Sequence, residues 1–175
     1  ITKSEIISLL QKIRTQIPSV VLRTTLMVGF PGETEEDFAE LMEFVCQAKF
    51  DKLGAFMYSK EDGTPAASMP NQVHGNTKKS RYNRVMRAQQ KISRGNLKKR
   101  LGKVFDVIIE DISFDGKYYI GRTIENVPEI DGLVYIKNNT EGRKTRVNTF
   151  AKCKIVGIDD YDLIAEEVKE QDSTL

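Results

Sequence analysis

Residues 20–38 read VVLRTTLMVGFPGETEEDF, and they decide the fold of the first part of the chain. Positions 20–28 are a run of β-branched and apolar residues interrupted by Arg23, the composition of a buried strand. Gly29, Phe30, Pro31 and Gly32 break the run. Thr34 follows, with Asp37 three residues on, which marks a capped helix N-terminus. A buried strand that feeds a capped helix through a Gly/Pro turn is the βα corner of an α/β barrel or sheet. In such folds ligands sit at the carboxyl ends of the strands. Gly29 and Gly32 either clear space for a cofactor against the backbone or form a tight turn that binds nothing.

The neighbouring segments extend this unit on both sides. Upstream, Ile6, Leu9, Leu10, Ile13 and Ile17 recur at helical spacing over residues 4–17, with Ser4 as the expected cap and Pro18 as the stop. Downstream, residues 35–49 predict a second helix that buries Phe38, Leu41, Met42, Val45 and Cys46. Residues 53–58 then predict a second short strand. The order α–β–α–β is that of a parallel α/β fold. A long loop with Gly63, Pro65 and Pro70 fills residues 59–76, and loops of that length in compact domains are often functional. Residues 77–97 predict a connector helix with Tyr82, Val85, Met86, Gln89, Ile92 and Leu97 on one side. Arg84, Arg87, Lys91, Arg94 and Lys98 step by three or four along the other.

After Gly102 the period changes to two. Residues 104–109, 118–121, 133–136, 152–158 and 163–167 predict short strands, with Asp115-Gly116 and Asp131-Gly132 as turn signals. Five such strands predict a small closed β-barrel of the OB type. The domain reading is therefore 1–100 and 101–175, α/β followed by all-β, with a hinge near 96–102.

Composition narrows the function classes. The 175 residues hold 27 Lys and Arg against 25 Asp and Glu, so net charge excludes neither nucleic-acid nor protein partners. Its distribution is uneven: residues 63–105 contain no acid, while the helix after Thr34 and the end of the chain are acidic. No run is apolar enough to span a membrane, and no leader peptide precedes the first helix. The start at Ile1, with no initiator Met, is that expected of a piece of a longer protein. Cys46 and Cys153 form neither a disulfide framework nor a metal motif, so a cytoplasmic setting is expected, each cysteine serving as a small buried apolar residue. His74 is the single histidine, which leaves nucleophilic hydrolysis little support. No phosphate-cradling loop sequence is present.

Several residues carry two readings. An Arg23 inside a buried strand must be paired, either with a ligand carboxylate or with a structural acid. Glu61, Asp62, Gly63 and Thr64 follow the second strand and either touch substrate or form a turn. The basic stripe binds nucleic acid or is a solvated face. Tyr118, Tyr119 and Tyr135 stack bases or are ordinary strand aromatics.

Three segments together resemble a family. VVLRTTLMVGFPGETEEDF, then FMYSKEDGTPAA, then YIGRTIENVPEIDGLVYI in the barrel, are similar to the radical S-adenosylmethionine methylthiotransferases. The barrel resembles their TRAM domain. LRTT in the strand, NVPEIDG in the barrel and DDYDLIAE near the end resemble the branch that modifies an aspartate of a ribosomal protein rather than a transfer RNA. The family's CxxxCxxC motif is absent, as is its amino-terminal domain with three further cysteines. The chain thus resembles the carboxy-terminal part of such an enzyme: the last βα units of a partial TIM barrel, plus TRAM.

The resemblance implies S-adenosylmethionine as cofactor and two 4Fe-4S iron–sulfur clusters whose ligands lie outside this chain, so the piece alone is expected to be inactive. Gly29, Phe30 and Pro31 would sit by the adenosyl group, with Tyr58 and Ser59 closing the rim and Arg23 facing a carboxylate. No catalytic residue and no metal ligand is expected here. Glu129 and Asp131 would either dock a basic ribosomal protein or shape a turn. Expected partners are a small-subunit ribosomal protein or the ribosome, with RNA contact through the basic helix and barrel, and no membrane. The alternatives are a transfer-RNA adenosine methylthiotransferase and a non-catalytic TRAM-type RNA-binding module.

Overall fold

The computed structural model describes residues 1–138 and 147–168. The chain divides into two compact units, Ile1–Ser93 and Arg94–Leu175.

In the first unit, α1 (Lys3–Gln16) starts from Thr2 rather than Ser4, because Glu5 lies at the position that completes a capping box with Thr2. Strand β1 (Arg23–Val28) is shorter than residues 20–28 suggest. The backbone of Leu22 is already engaged: its N–H donates to Asp51 Oδ2 at 3.1 Å, and its carbonyl accepts from the N–H groups of Asp51 and Lys52. Helix α2 (Glu35–Ala48) begins at Thr34 as expected and ends on Lys49 in the left-handed conformation. Strand β2 (Lys52–Met57) pairs in parallel with β1, from Arg23 opposite Lys52 to Val28 opposite Met57. A short α3 (Pro65–Ser68) and the long α4 (Gly75–Lys98) follow. Val28, Phe38, Val45, Ala48, Phe50, Leu53, Ala55 and Val85 form the core.

Two expectations fail here. Strand β1 is not buried on both faces: Arg23, Thr25 and Met27 are exposed, and only Val28 is fully enclosed. The described sheet has two strands, and helices cover one side of it. Cys46 is exposed rather than buried, whereas Cys153 is buried as expected. Val45 takes the core position on α2, and the next residue lies about 100° around the helix.

The second unit is a closed barrel of five strands: β3 (Val104–Ile112), β4 (Tyr118–Arg122), β5 (Val134–Lys137), β6 (Thr149–Asp159) and β7 (Asp162–Glu167). Their order is β3-β4-β5-β7-β6, and the β5–β7 pair alone is parallel among the five ladders. Inward residues alternate with outward ones, so Val107, Ile109, Tyr119, Val134, Ile136, Ala151, Cys153, Ile155, Leu163 and Ala165 fill the interior, joined by Leu97 from the last turn of α4. Tyr119 is thereby lost as a stacking surface. Tyr118 and Tyr135 stay on the outer face, edge to face with centroids 6.1 Å apart.

Candidate functional site

The strand-end turn of the first unit is held by a set of polar contacts. Gly29 and Gly32 hold φ values of +73° and +87°, which side-chain-bearing residues adopt at a cost. Gly29 N–H donates to Glu33 Oε2 at 2.9 Å, and Glu33 N–H donates to the Phe30 carbonyl at 3.0 Å. Gly32 N–H donates to the Asn71 carbonyl, tying the turn to the long loop. Tyr58 N–H donates to the Val28 carbonyl, so the ends of β1 and β2 are joined. Gly29, Pro31 and Tyr58 are buried, while Phe30 and Ser59 are exposed. Phe30 meets Tyr58 edge to face, with centroids 5.3 Å apart. The Tyr58 hydroxyl is buried and has no hydrogen-bond partner, an orphan that a bound polar group would satisfy.

Helix α4 grips this turn from one side. Arg81, only 5% exposed, donates from Nη1 to Glu33 Oε1 at 2.6 Å and to the Glu33 carbonyl at 3.1 Å. Its Nη2 reaches the Thr34 carbonyl at 3.0 Å and Glu35 Oε2 at 3.2 Å. Lys78 Nζ donates to the Tyr58 carbonyl at 2.9 Å. The Arg84 guanidinium, and after it that of Arg81, holds the Glu35 carboxyl below its ordinary pKa. Sequence reasoning missed Lys78, Arg81 and Glu33. Arg81 precedes Arg84 by three residues, the step of the 84-87-91-94-98 stripe itself, so its spacing carried no signal that set it apart.

The other expected residues are not drawn to this turn. Arg23 lies at the start of β1, six residues before Gly29, which is about 20 Å along a strand. It stands on the open face with Thr25 and Met27 of β1 and with Gly54 and Phe56 of β2. Glu61 and Thr64 form a turn: the Thr64 N–H and hydroxyl both donate to the Glu61 carbonyl. In the barrel, Asp131 Oδ2 accepts from Val127 N–H at 2.8 Å, so that carboxylate shapes the loop between β4 and β5. Asn126 braces the same loop through Thr123 and the Gly132 carbonyl. Glu129 is exposed at its tip. Along α4, Arg87, Lys91, Arg94 and Lys98 are exposed. Among the described residues no group of three or more His, Cys, Asp or Glu is arranged to hold a metal, and no helix is long and apolar enough to cross a membrane.

Residues 101–168, which contain the closed barrel, match the TRAM domain. Most of the chain aligns with curated proteins named ribosomal protein uS12 methylthiotransferase RimO. That of Alkaliphilus oremlandii is 55% identical over 159 residues, covering 91% of this chain and 36% of that protein. The chain is similar to ribosomal-protein methylthiotransferases. The Desulforamulus reducens relative is 47% identical, covering 95% of this chain and 37% of its own length. That of Acetivibrio thermocellus is 43% identical, covering 97% and 37%. The chain thus spans a little over a third of the relatives it matches. These relatives fall in the branch that the LRTT and NVPEIDG segments resemble.

Proposed function

We propose that this chain is part of an enzyme that methylthiolates the β-carbon of an aspartate in a small-subunit ribosomal protein by radical S-adenosylmethionine chemistry. The observation that carries the reading is the 55% identity over 159 residues, a span too long to omit either the strand-end turn or most of the barrel. The first unit then contributes βα units to a partial TIM barrel, whose ligands gather at the carboxyl ends of the strands.

The residues at the β1 and β2 ends fit S-adenosylmethionine. The turn at Gly29 brings bare backbone to the rim, Phe30 offers an exposed aromatic edge, and the Tyr58 hydroxyl lacks a partner. Gly29, Phe30 and Pro31 would lie along the adenosyl group, with Tyr58 and Ser59 beside them. Arg23 stands outside this set, at the far end of β1. When bound there, S-adenosylmethionine would supply the radical chemistry needed to activate the target carbon. The chain's task is to position the cofactor and keep water from it. The described residues do not fit an iron–sulfur cluster: Cys46 is exposed on α2 and Cys153 sits in the barrel interior. The clusters are assigned to the rest of the parent protein, and the chain alone is expected to be inactive.

Docking of the ribosomal protein falls to the barrel loop that presents Glu129, with Asp131 holding the loop in shape. Arg87, Lys91, Arg94 and Lys98 supply a cationic row for ribosomal RNA, and Tyr118 and Tyr135 an outer aromatic pair on the barrel. The setting is the cytoplasm. The test is methylthiolation by the parent protein, offered uS12 and transfer RNA separately and read by mass spectrometry. A methylthio group on an aspartate of uS12 is expected. Modified transfer RNA with unmodified uS12 would move the chain to the sister activity, and no modification of either would leave only an RNA-binding module.

A further inference from the structure

We infer that Arg81 and Lys78, on the first turns of α4, are positioning residues for the strand-end turn, with Glu33 as the carboxylate that transmits their hold to Gly29. The inference rests on the reading that Gly29, Phe30 and Pro31 meet the cofactor.

The geometry separates this from ordinary packing. All four Arg81 hydrogen bonds go to Glu33, Thr34 and Glu35, the residues that leave the turn. Glu33 divides its two oxygens: Oε1 accepts from Arg81 and Oε2 accepts from Gly29 N–H. The carboxylate therefore bridges the helix to the residue that closes β1. Lys78, also on α4, completes the hold at the end of the other strand, donating to the Tyr58 carbonyl while its Nζ lies 4.8 Å from the Tyr58 ring centroid. Its Cγ occupies the space where a β-carbon on Gly29 would lie, 2.4 Å away.

Burying an ion pair is a poor way to gain stability, since apolar residues of similar volume do as well or better. This arrangement is suited to fixing one geometry, because the planar guanidinium donates to four acceptors in fixed directions while each Glu33 oxygen is held by a different donor. The ends of β1 and β2 are thus held in register by two side chains from one helix, before any ligand arrives. Pre-organisation of this kind lowers the ordering cost of binding.

The test uses Arg81→Lys, Arg81→Met and Glu33→Gln in the 175-residue chain, with amide hydrogen exchange as the first readout. Gly29 should exchange about tenfold faster or more, equivalent to ~1.4 kcal/mol, while Leu53 and Ala55 in the middle of β2 keep their rates. Acceleration of all three amides together would make the pair a general structural support and overturn the inference. The second readout is the parent enzyme carrying Arg81→Lys. Its KM for S-adenosylmethionine should rise about tenfold or more with kcat little changed, the pattern of lost ligand positioning. An unchanged KM would overturn the inference even if Gly29 exchanges faster. A parent enzyme with no dependence on S-adenosylmethionine would instead sink the reading of the site, and the exchange data would still decide whether the clamp exists.

Discussion

The side chain of Lys78 fills the space that Gly29 leaves open: a β-carbon on Gly29 would stand 2.4 Å from Lys78 Cγ. Gly29 also holds φ +73°, so an alanine there meets both a backbone penalty and a collision. The backbone alone costs about 1–2 kcal/mol for an L-residue in the left-handed region. Gly32 has φ +87° with nothing within 4 Å of its would-be β-carbon, and so isolates that backbone term. Denaturant titration should show Gly29→Ala less stable than Gly32→Ala. Adding Lys78→Ala should recover part of the difference. Equal losses for the two single variants would mean that Lys78 simply moves aside.

A harder collision is built into the barrel. A β-carbon on Gly121 would lie 2.2 Å from the Ile108 carbonyl oxygen, across the β3–β4 ladder. Unlike a lysine stem, a backbone carbonyl within a closed barrel has nowhere to go. Gly121→Ala should cost about 3 kcal/mol or more, the upper end of overpacking effects. Near-UV circular dichroism should show disturbed packing around Tyr118, Tyr119 and Tyr135. A variant with wild-type spectrum and midpoint would show that β4 can shift against β3.

The cap of α2 predicts a pH dependence. The Thr34 backbone N–H, and after it the Thr34 hydroxyl, holds the Asp37 carboxyl below its ordinary pKa. A carboxyl whose pKa is lower in the folded state adds stability above its unfolded value, and that stability is lost as pH falls through the folded value. Wild type and Asp37→Asn should therefore differ most near neutrality and converge well below pH ~4, the ordinary carboxylate range. Thermal melts across that range measure it. A gap that persists undiminished in strong acid would assign the cap to neutral hydrogen bonding alone. Thr34→Ala removes the hydroxyl that accepts from Asp37 N–H, at a cost of about 1 kcal/mol.

The elements were legible in sequence because their periods are clean. Alternation in residues 104–109 and 152–158 gave the barrel, and Thr34 with Asp37 gave the start of α2. Solvent access was not legible. Residues 20–28 carry the composition of a strand buried on both faces, yet Met27 is 52% and Phe56 63% exposed. The hydrophobic pattern reports what a strand is built to face, and in the described sheet Thr25, Met27 and Phe56 stand exposed on that side. The grip of α4 on the turn was hidden for a different reason. Arg81 and Glu33 are 48 residues apart, and in sequence Arg81 is one cation among eleven in an acid-free stretch. Only the three-dimensional path of α4 brings it to Glu33.

Arg23 gives the last test, because the structure changes what its removal should do. A buried guanidinium would leave an unpaired acid behind when truncated, a loss of about 3–5 kcal/mol. Arg23 is exposed on the open face of the sheet, where ionic contacts contribute about 0–1 kcal/mol. Arg23→Ala should therefore shift the melting temperature of the chain little. It also stands about 20 Å from Gly29, too far for one cofactor to engage both its carboxylate-binding group and the turn through this strand alone. In the parent enzyme, Arg23→Ala should leave the KM for S-adenosylmethionine close to wild type, in contrast to Arg81→Lys. A large rise in that KM, with the melting temperature unchanged, would return Arg23 to the cofactor site and require the open face to be part of it.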